Sequence, residues 1–163
     1  MPAYYALALV VGVLAVVATW IFGLPVAAEN NLQVWVAFIA WGGHFHCGGK
    51  FAGIRDTVVC MTFGALVGMV AVILAGHLGS LGAFAAPVAV GLGAAVICLA
   101  SKIPYLGTIP ASVYGFASIA GLILLKNVPA QDAFVPTVIS IVIGGIFGYV
   151  SEQVTAALTK KDA

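Results

Sequence analysis

The sequence predicts an all-α integral membrane protein of six transmembrane helices, arranged as an inverted repeat of three helices plus three. Three observations favour this class. Of the 163 residues, 63% are hydrophobic and 7% are charged; apolar stretches of about 20 residues recur; and one motif occurs twice. Soluble domains carry about 25% charged residues, which excludes a soluble globule. The net charge of +1 argues against nucleic acid as a partner, because no basic patch is available to neutralise phosphates.

Six apolar stretches are candidates for the membrane-spanning helices. Four are long and continuous: Ala3–Leu24, Thr57–Leu78, Leu81–Ala100 and Phe134–Val154. The fifth, Ile103–Leu125, is interrupted by Pro104, Gly107 and Pro110. The second, Val34–Cys47, would form about 21 Å of helix, less than the ~30 Å hydrocarbon core. We expect the second stretch to begin as a helix and to loosen towards its cytoplasmic end; a re-entrant segment is the alternative. Helices two and five are thus predicted to be interrupted.

The basic residues predict the orientation of the chain. With a cytoplasmic N-terminus, five basic side chains fall on the cytoplasmic side: Lys50, Arg55, Lys102, Lys160 and Lys161. Only Lys126 then lies outside, as the positive-inside rule expects. Both termini are therefore predicted to be cytoplasmic, and residues 159–163 are predicted to form a short tail. The whole chain, 1–163, is expected to be one transmembrane domain.

An internal repeat predicts how the helices are arranged. The pattern T-V-[VI]-[CS]-x3-G-x3-G begins at Thr57 and again at Thr137. A weaker correspondence, at an offset of about 70 residues, relates the second stretch to the fifth. Because three crossings separate the copies, the halves 1–78 and 81–158 have opposite orientations. In such repeats, solute sites lie near the bilayer midplane where interrupted helices of the two halves meet.

Three segments of the chain carry a family resemblance. They are an aromatic and small-residue segment ending in Gly-Gly-Lys (Phe38–Lys50), a Pro-small-x-x-Gly element (Pro110–Gly115) and a final Gly-x3-Gly (Gly144–Gly148). Over nearly its whole length the chain resembles the uncharacterised family of small bacterial inner-membrane proteins numbered 1097 among the domains of unknown function. The resemblance implies a bacterial inner-membrane location and brings no established activity. His44 and His46 depart from that family's pattern, so a role for them would be particular to this chain.

The second and fifth stretches carry the side chains of a candidate solute pathway: Trp41, His44, His46, Ser112 and Tyr114. Counted from opposite surfaces, His44 and Tyr114 each lie about 17–18 Å into the bilayer, so we expect these segments to meet in depth. Ionisable groups at such depth are costly and are usually functional. The alternative is a pair of interfacial histidines bonded to backbone or water. Trp41 is either a constriction beside His44 or part of the packing.

His44, His46 and Cys47 also have side chains that transition metals prefer. On a regular helix only His44 and Cys47 share a face, so a three-ligand site requires local unwinding, which the flanking glycines permit. This segment therefore gives an alternative function: a non-transporting membrane module that binds a transition metal or a partner protein. No cofactor is predicted otherwise.

Two Gly-x3-Gly pairs predict close packing of helices: Gly64 with Gly68, and Gly144 with Gly148. Small residues let membrane helices approach closely, here either between the two halves or between protomers. A passage lined by bare backbone is the alternative. Because six short spans enclose little volume, we also expect a symmetric homo-oligomer.

The predicted function is that of a membrane channel or facilitator for a small neutral or weakly ionised polar solute, such as water, ammonia, urea, or a short amide or acid. No motif of nucleophilic, metalloprotease or P-loop chemistry is present, so we do not expect an enzyme. Neither Asp56 nor Asp132 lies deep enough to drive coupled transport, and Glu152 is expected to be a solvated charge at the interface. The pathway is therefore predicted to be passive, with the lipid bilayer and the solute as partners.

Overall fold

The computed structural model describes residues 1–159, and the regular secondary structure of this part of the chain is entirely helical. The elements are α1 (Ala3–Phe22), α2 (Pro25–Glu29), α3 (Val34–His46), α4 (Lys50–His77), a 3-10 segment (Gly79–Phe84), α5 (Ala85–Ala100), α6 (Ile109–Lys126) and α7 (Ala130–Leu158). The predicted cytoplasmic lysines Lys160 and Lys161, and most of the predicted tail, lie outside the described residues.

Five helical segments are long and apolar enough to cross a membrane. They are α1, α4, the 3-10 segment together with α5, α6, and α7. The chain is therefore an all-helical, multi-pass membrane protein, as its composition predicts. The second predicted span corresponds to α3, which has 13 residues, or about 20 Å of helix. It is too short to cross the ~30 Å hydrocarbon core by itself.

Helix α3, which corresponds to the second predicted span, is not interrupted. The prediction that this span loosens towards its cytoplasmic end was therefore wrong. It continues as an α-helix through Gly42 and Gly43 to His46, and the chain turns only from Cys47 onwards. Glycine inside a helix costs up to about 1 kcal/mol relative to alanine, but packing holds Gly43 in place. A Cβ at this position would lie 3.0 Å from the Cγ2 atom of Thr57, which shows how closely α4 lies against it.

Helix α6, which corresponds to the fifth predicted span, is not interrupted either. This corrects the prediction made from the prolines and the glycine of that span. α6 begins at Ile109, so Pro104 and Gly107 lie in the irregular segment before it, and Pro110 lies in its first turn. A proline there removes an N–H group that has no partner within the helix. Pro110 therefore helps to start the helix instead of breaking it.

A tight turn joins α3 to α4. Gly48 and Gly49 have φ angles of +89° and +69°, a region that glycine reaches without a steric penalty. The turn is complete by Lys50, so α4 begins seven residues before the predicted span at Thr57. The first two turns of α4 therefore carry the charged residues that were expected in a loop.

The helices pack around one apolar core. α4 packs most extensively on α6, α7 packs on α3, and α4 and α7 contact each other; α5 lies against α4, and α1 lies against α7. The core contains the fully buried side chains of Val36, Met61, Ile119, Leu122 and Ile141. As a result, α3 contacts α4, α6 and α7, and these contacts position its histidines.

Candidate functional site

Glycines of α4 place the backbone of α6 in direct contact with α4. A Cβ on Gly64 would overlap the backbone of Ser112, and a Cβ on Gly115 would overlap the backbone of Met61. Ser112, which was predicted to line the pathway, is buried in this contact. Gly68 likewise lies against Phe116, with its Cβ position 2.9 Å from the carbonyl oxygen.

Glycines of α7 form the corresponding contact with α3. A Cβ on Gly144 would overlap the carbonyl group of Ala37, and a Cβ on Gly148 would lie 2.6 Å from the Cβ atom of His44. All four glycines predicted to act in helix packing thus lie at close contacts between helices of different halves of the chain. The contact at Gly148 holds His44 against α7.

His44 is completely buried, and its imidazole bonds to α7. Nε2 lies 2.9 Å from Oε2 of Glu152, and the same carboxylate oxygen accepts a 2.6 Å hydrogen bond from the backbone amide of Lys50. Since a carboxylate oxygen only accepts, Nε2 carries the proton that it donates. Glu152 therefore connects α3, the start of α4 and α7. Glu152 was predicted to be a solvated charge at the interface; its side chain is 29% exposed but is engaged by His44 and Lys50. Its position relative to the interface stays a prediction.

His46 points to another helix. Its Nδ1 lies 2.9 Å from the hydroxyl of Tyr114 on α6, and the two rings meet edge to face with centroids 5.8 Å apart. His46 is exposed and Tyr114 is half-buried, so this hydrogen bond lies at the surface of the helix bundle. The structure thus joins one predicted lining residue of α3 to one of α6.

Trp41 packs against α7. Its indole Nε1 donates a 3.0 Å hydrogen bond to Oγ of Ser151, and its ring stacks on Phe147 with the centroids 5.4 Å apart. The side chain is buried, although its edge, together with Phe38 and Phe45, lines an open cavity of about 250 Å³. Of the two interpretations of Trp41, these contacts favour packing.

The predicted lining residues therefore fall into three separate places. His46 and Tyr114 contact each other, His44 and Trp41 bond to α7, and Ser112 is enclosed between α4 and α6. The alternative metal site does not assemble either. Within residues 1–159, no group of three His, Cys, Asp or Glu side chains could hold a metal ion, because the imidazoles of His44 and His46 bond to different helices.

Two functional candidates escaped the sequence reasoning. Glu152 is one. The sequence feature that could have identified it is a carboxylate in the last turn of an apolar span. The other is Thr57, which was singled out as the start of the repeated motif and not as a functional residue. It is completely buried, and its hydroxyl has no hydrogen-bond partner. The same holds for Nδ1 of His44, on the helix that packs against Thr57.

These elements define a multi-pass helical membrane protein whose helices are connected by hydrogen bonds between polar side chains. A comparison with protein families matches residues 8–156 to the family described as "Protein of unknown function (DUF1097)". The chain belongs to this family, which is the one that the sequence resembles. Comparisons with curated proteins and with solved structures give no match.

Proposed function

We propose that the protein is a passive membrane channel or facilitator for a small neutral or weakly ionised polar solute. Water, ammonia, urea, and short amides or acids are the candidates. The observation that carries this proposal is the hydrogen bond between His46 and Tyr114. It links the two helices predicted to line a pathway, and both side chains are at least partly exposed on the surface of the helix bundle. A polar solute that exchanges partners with this pair recovers hydrogen bonds that it loses on leaving water.

The packing of the helices supports the predicted arrangement as an inverted repeat of three helices plus three. If α1, α3 and α4 correspond to α5, α6 and α7, each major contact has a counterpart. The contact of α4 with α6 corresponds to that of α7 with α3, and the contact of α5 with α4 corresponds to that of α1 with α7. A pseudo-two-fold axis in the membrane plane relates such halves and places their interface at the level where solutes bind.

Individual contacts support the same correspondence and refine its register. Gly64 packs on Ser112 as Gly144 packs on Ala37, and Gly68 contacts Ile119 as Gly148 contacts His44. The glycines of each pair are 80 residues apart, whereas their partners are 75 residues apart. The offset between α3 and α6 is therefore better taken as 75 than as the predicted 70. His44 then corresponds to Ile119, and Tyr114 corresponds to an apolar residue of α3.

The described carboxylates favour a passive pathway over a coupled one. Glu152 is the acidic residue placed closest to buried polar groups, and its Oε2 atom is engaged by both His44 and Lys50. Its role is to hold α3 and α4 against α7. Asp56 bonds to the neighbouring Arg55 near the start of α4. No general acid, base or nucleophile motif accompanies these residues, and we propose that the protein is not an enzyme.

We place the protein in the bacterial inner membrane with both termini in the cytoplasm, because Lys50, Arg55 and Lys102 then lie on the cytoplasmic side. This topology takes α3 as a sixth crossing, in a bilayer that is locally thinner beside it. We also propose that it forms a symmetric homo-oligomer. A groove of about 300 Å³ between α4 and α5 is lined by apolar side chains, among them Leu66, Val70 and Leu92. In an oligomer, a helix of a second copy would fill this groove.

Solute flux into liposomes tests the proposed pathway. Purified protein is reconstituted, and entry of water, ammonia and urea is followed by stopped-flow light scattering or by an enclosed pH dye. Wild-type protein should raise the permeability to at least one solute above that of empty liposomes. The variants His46→Ala and Tyr114→Phe should change this permeability several-fold, because each removes one partner of the hydrogen bond.

Matched substitutions away from the pair serve as controls. His77→Ala and Tyr4→Phe change the same residue types at exposed positions, and flux should remain at the wild-type level in both. If every candidate solute enters at the rate of empty liposomes, the proposed transport is wrong. If wild-type protein conducts but His46→Ala and Tyr114→Phe leave the flux unchanged, the pathway lies elsewhere.

A further inference from the structure

At the contact between α3 and α4, each helix directs one buried polar atom towards the other helix. Neither atom has a hydrogen-bond partner. They are Nδ1 of His44 and Oγ1 of Thr57, and both residues are 0% exposed. Buried polar atoms in proteins are nearly always paired with protein groups or ordered water, since an unpaired group costs free energy. Two such atoms in one helix contact make this contact a candidate site for a small polar molecule.

One glycine on each helix shows that the two atoms lie in the same part of the contact between α3 and α4, which we call the seam. The Cβ position of Gly53 on α4 lies 3.4 Å from Nδ1 of His44, and the Cβ position of Gly43 on α3 lies 3.7 Å from Oγ1 of Thr57. Gly43 precedes His44 directly, and Gly53 lies one helical turn before Thr57, on the same face of α4. A Cβ on Gly53 would also lie 2.8 Å from the carbonyl oxygen of His44, so the two helices approach closely beside both polar groups.

The second copy of the repeated motif shows that a threonine at this place can bond its hydroxyl to its own helix, although Thr57 does not. Thr137 begins that copy, and its hydroxyl donates a 2.8 Å hydrogen bond to the carbonyl oxygen of Ala133, one turn earlier in α7. The equivalent acceptor for Thr57 is the carbonyl oxygen of Gly53, yet the hydroxyl of Thr57 does not bond to it. The hydroxyl of Thr57 is thus left for another partner.

Glu152 determines which hydrogen-bonding role is open to His44. Nε2 donates to the carboxylate, so in the neutral imidazole Nδ1 is left as an acceptor. A molecule in the seam must therefore offer an O–H or N–H group to Nδ1. The hydroxyl of Thr57 can act as donor or acceptor, so it suits either kind of second contact.

We propose that the seam between α3 and α4 binds one small neutral hydrogen-bond donor, the size of water or ammonia, between His44 Nδ1 and Thr57 Oγ1. Glu152 is a positioning residue for this site, because it fixes the imidazole tautomer. Binding here does not depend on transport. Its use as a step in permeation rests on the proposed function and would make donor-bearing solutes the preferred substrates.

Solid-state NMR of protein labelled with 15N-histidine in lipid bilayers tests the site. The chain has 3 histidines, so His46→Asn and His77→Asn assign the remaining signals to His44. We expect a cross-peak between protons of water and Nδ1 of His44. The cross-peak should be lost in Thr57→Val and kept in Thr57→Ser, which restores the hydroxyl. Thr137→Val, a change of the same type at a satisfied hydroxyl, should leave the cross-peak unchanged.

A second measurement distinguishes the two possible occupants. Adding 15N-ammonium chloride supplies ammonia, and a new 15N contact at His44 that replaces the water contact identifies ammonia as a ligand. Persistence of the water contact identifies water as the occupant. Absence of any small-molecule contact at Nδ1 in wild-type protein, or a contact that Thr57→Val does not alter, would overturn the site. These spectra need no flux, so a failure of transport leaves this result interpretable.

Discussion

Nε2 of His44 lies 2.9 Å from Oε2 of Glu152, although 108 positions separate the two residues in the chain. The same oxygen accepts the backbone amide of Lys50 at the start of α4. One carboxylate thus holds a buried imidazole and the first amide of a 28-residue helix. Carboxylates near a helix N-terminus are also stabilised by the positive end of the helix dipole. This junction is where α3, α4 and α7 are fixed relative to one another.

Removing the carboxylate should destabilise the fold. Glu152→Ala leaves the buried Nε2 of His44 without its partner, and an unsatisfied buried donor costs about 1–3 kcal/mol; the exposed amide of Lys50 can bond to water instead. The free energy of unfolding in detergent, from denaturant titrations followed by tryptophan fluorescence, should fall by that amount. Glu152→Gln keeps an acceptor oxygen and should lose less. Glu29→Gln, at an exposed position, is the control and should change stability by less than about 0.5 kcal/mol. Equal stability of Glu152→Ala and wild type would contradict this role.

Substitution of the packing glycines should be costly in both halves of the chain. In Gly64→Ala and Gly144→Ala the new methyl group would overlap the backbone of Ser112 or of Ala37, and a backbone cannot move aside as a flexible side chain can. Overpacking of this kind costs roughly 1–3 kcal/mol. Thermal unfolding of the purified variants measures the loss.

Gly12→Ala provides the matched control for the glycine series. Nothing lies within 4 Å of the Cβ position of Gly12 in α1, and replacing glycine by alanine inside a helix stabilises it by about 0.5–1 kcal/mol. The melting temperature of Gly12→Ala should therefore stay level or rise. A similar loss at Gly12 and Gly64 would show that helix propensity, and not the contact with α6, determines the result.

The hydrogen bond of Trp41 distinguishes packing from a role in the pathway. In Ser151→Ala the buried indole N–H of Trp41 loses its acceptor, so unfolding should become easier by roughly 1 kcal/mol, while solute flux per folded protein stays unchanged. Ser80→Ala, at an exposed position, is the control. A change in flux without a change in stability would instead place Trp41 at a constriction.

The proposed orientation can be measured by the labelling of single cysteines. In a variant without native cysteines, Asn30→Cys should react with a membrane-impermeant maleimide added to intact cells. Lys102→Cys should react only after the membrane is permeabilised, because positive-inside topology puts it in the cytoplasm. Cys60→Ser is a conservative part of this background, since a serine, Ser140, stands at the equivalent place in the second copy of the motif. The reverse labelling pattern would invert the topology.

The class of the protein and the residues that pack its helices could be predicted from the sequence. Apolar stretches follow directly from the ~30 Å core that a helix must cross, so the long helices were predictable. The glycines of the repeated motif were predictable because close backbone approach requires small residues. The alignment of the second stretch with the fifth carried less information, since one glycine-rich apolar helix aligns with another in several registers.

The polar contacts could be predicted only in part. His44 and Tyr114 were expected to meet, but it is His46 that bonds to Tyr114, while His44 turns towards Glu152. Two residues that are two positions apart on a helix point to nearly opposite sides, so the choice between them depends on where α6 and α7 lie. The sequence also led to the wrong prediction that Pro110 interrupts a helix. The effect of a proline depends on whether it falls in the first turn of a helix or in its interior.

The length of α3 has a consequence for the surrounding lipid. At about 20 Å, α3 falls roughly 10 Å short of the hydrocarbon core, so its polar end lies beneath the headgroups unless the acyl chains beside it shorten or tilt. Thinning a bilayer costs fractions of a kcal/mol per ångström. The long helices α4 and α7, of 28 and 29 residues, suit a bilayer of full thickness, so the thinning should be confined to the lipid that surrounds α3.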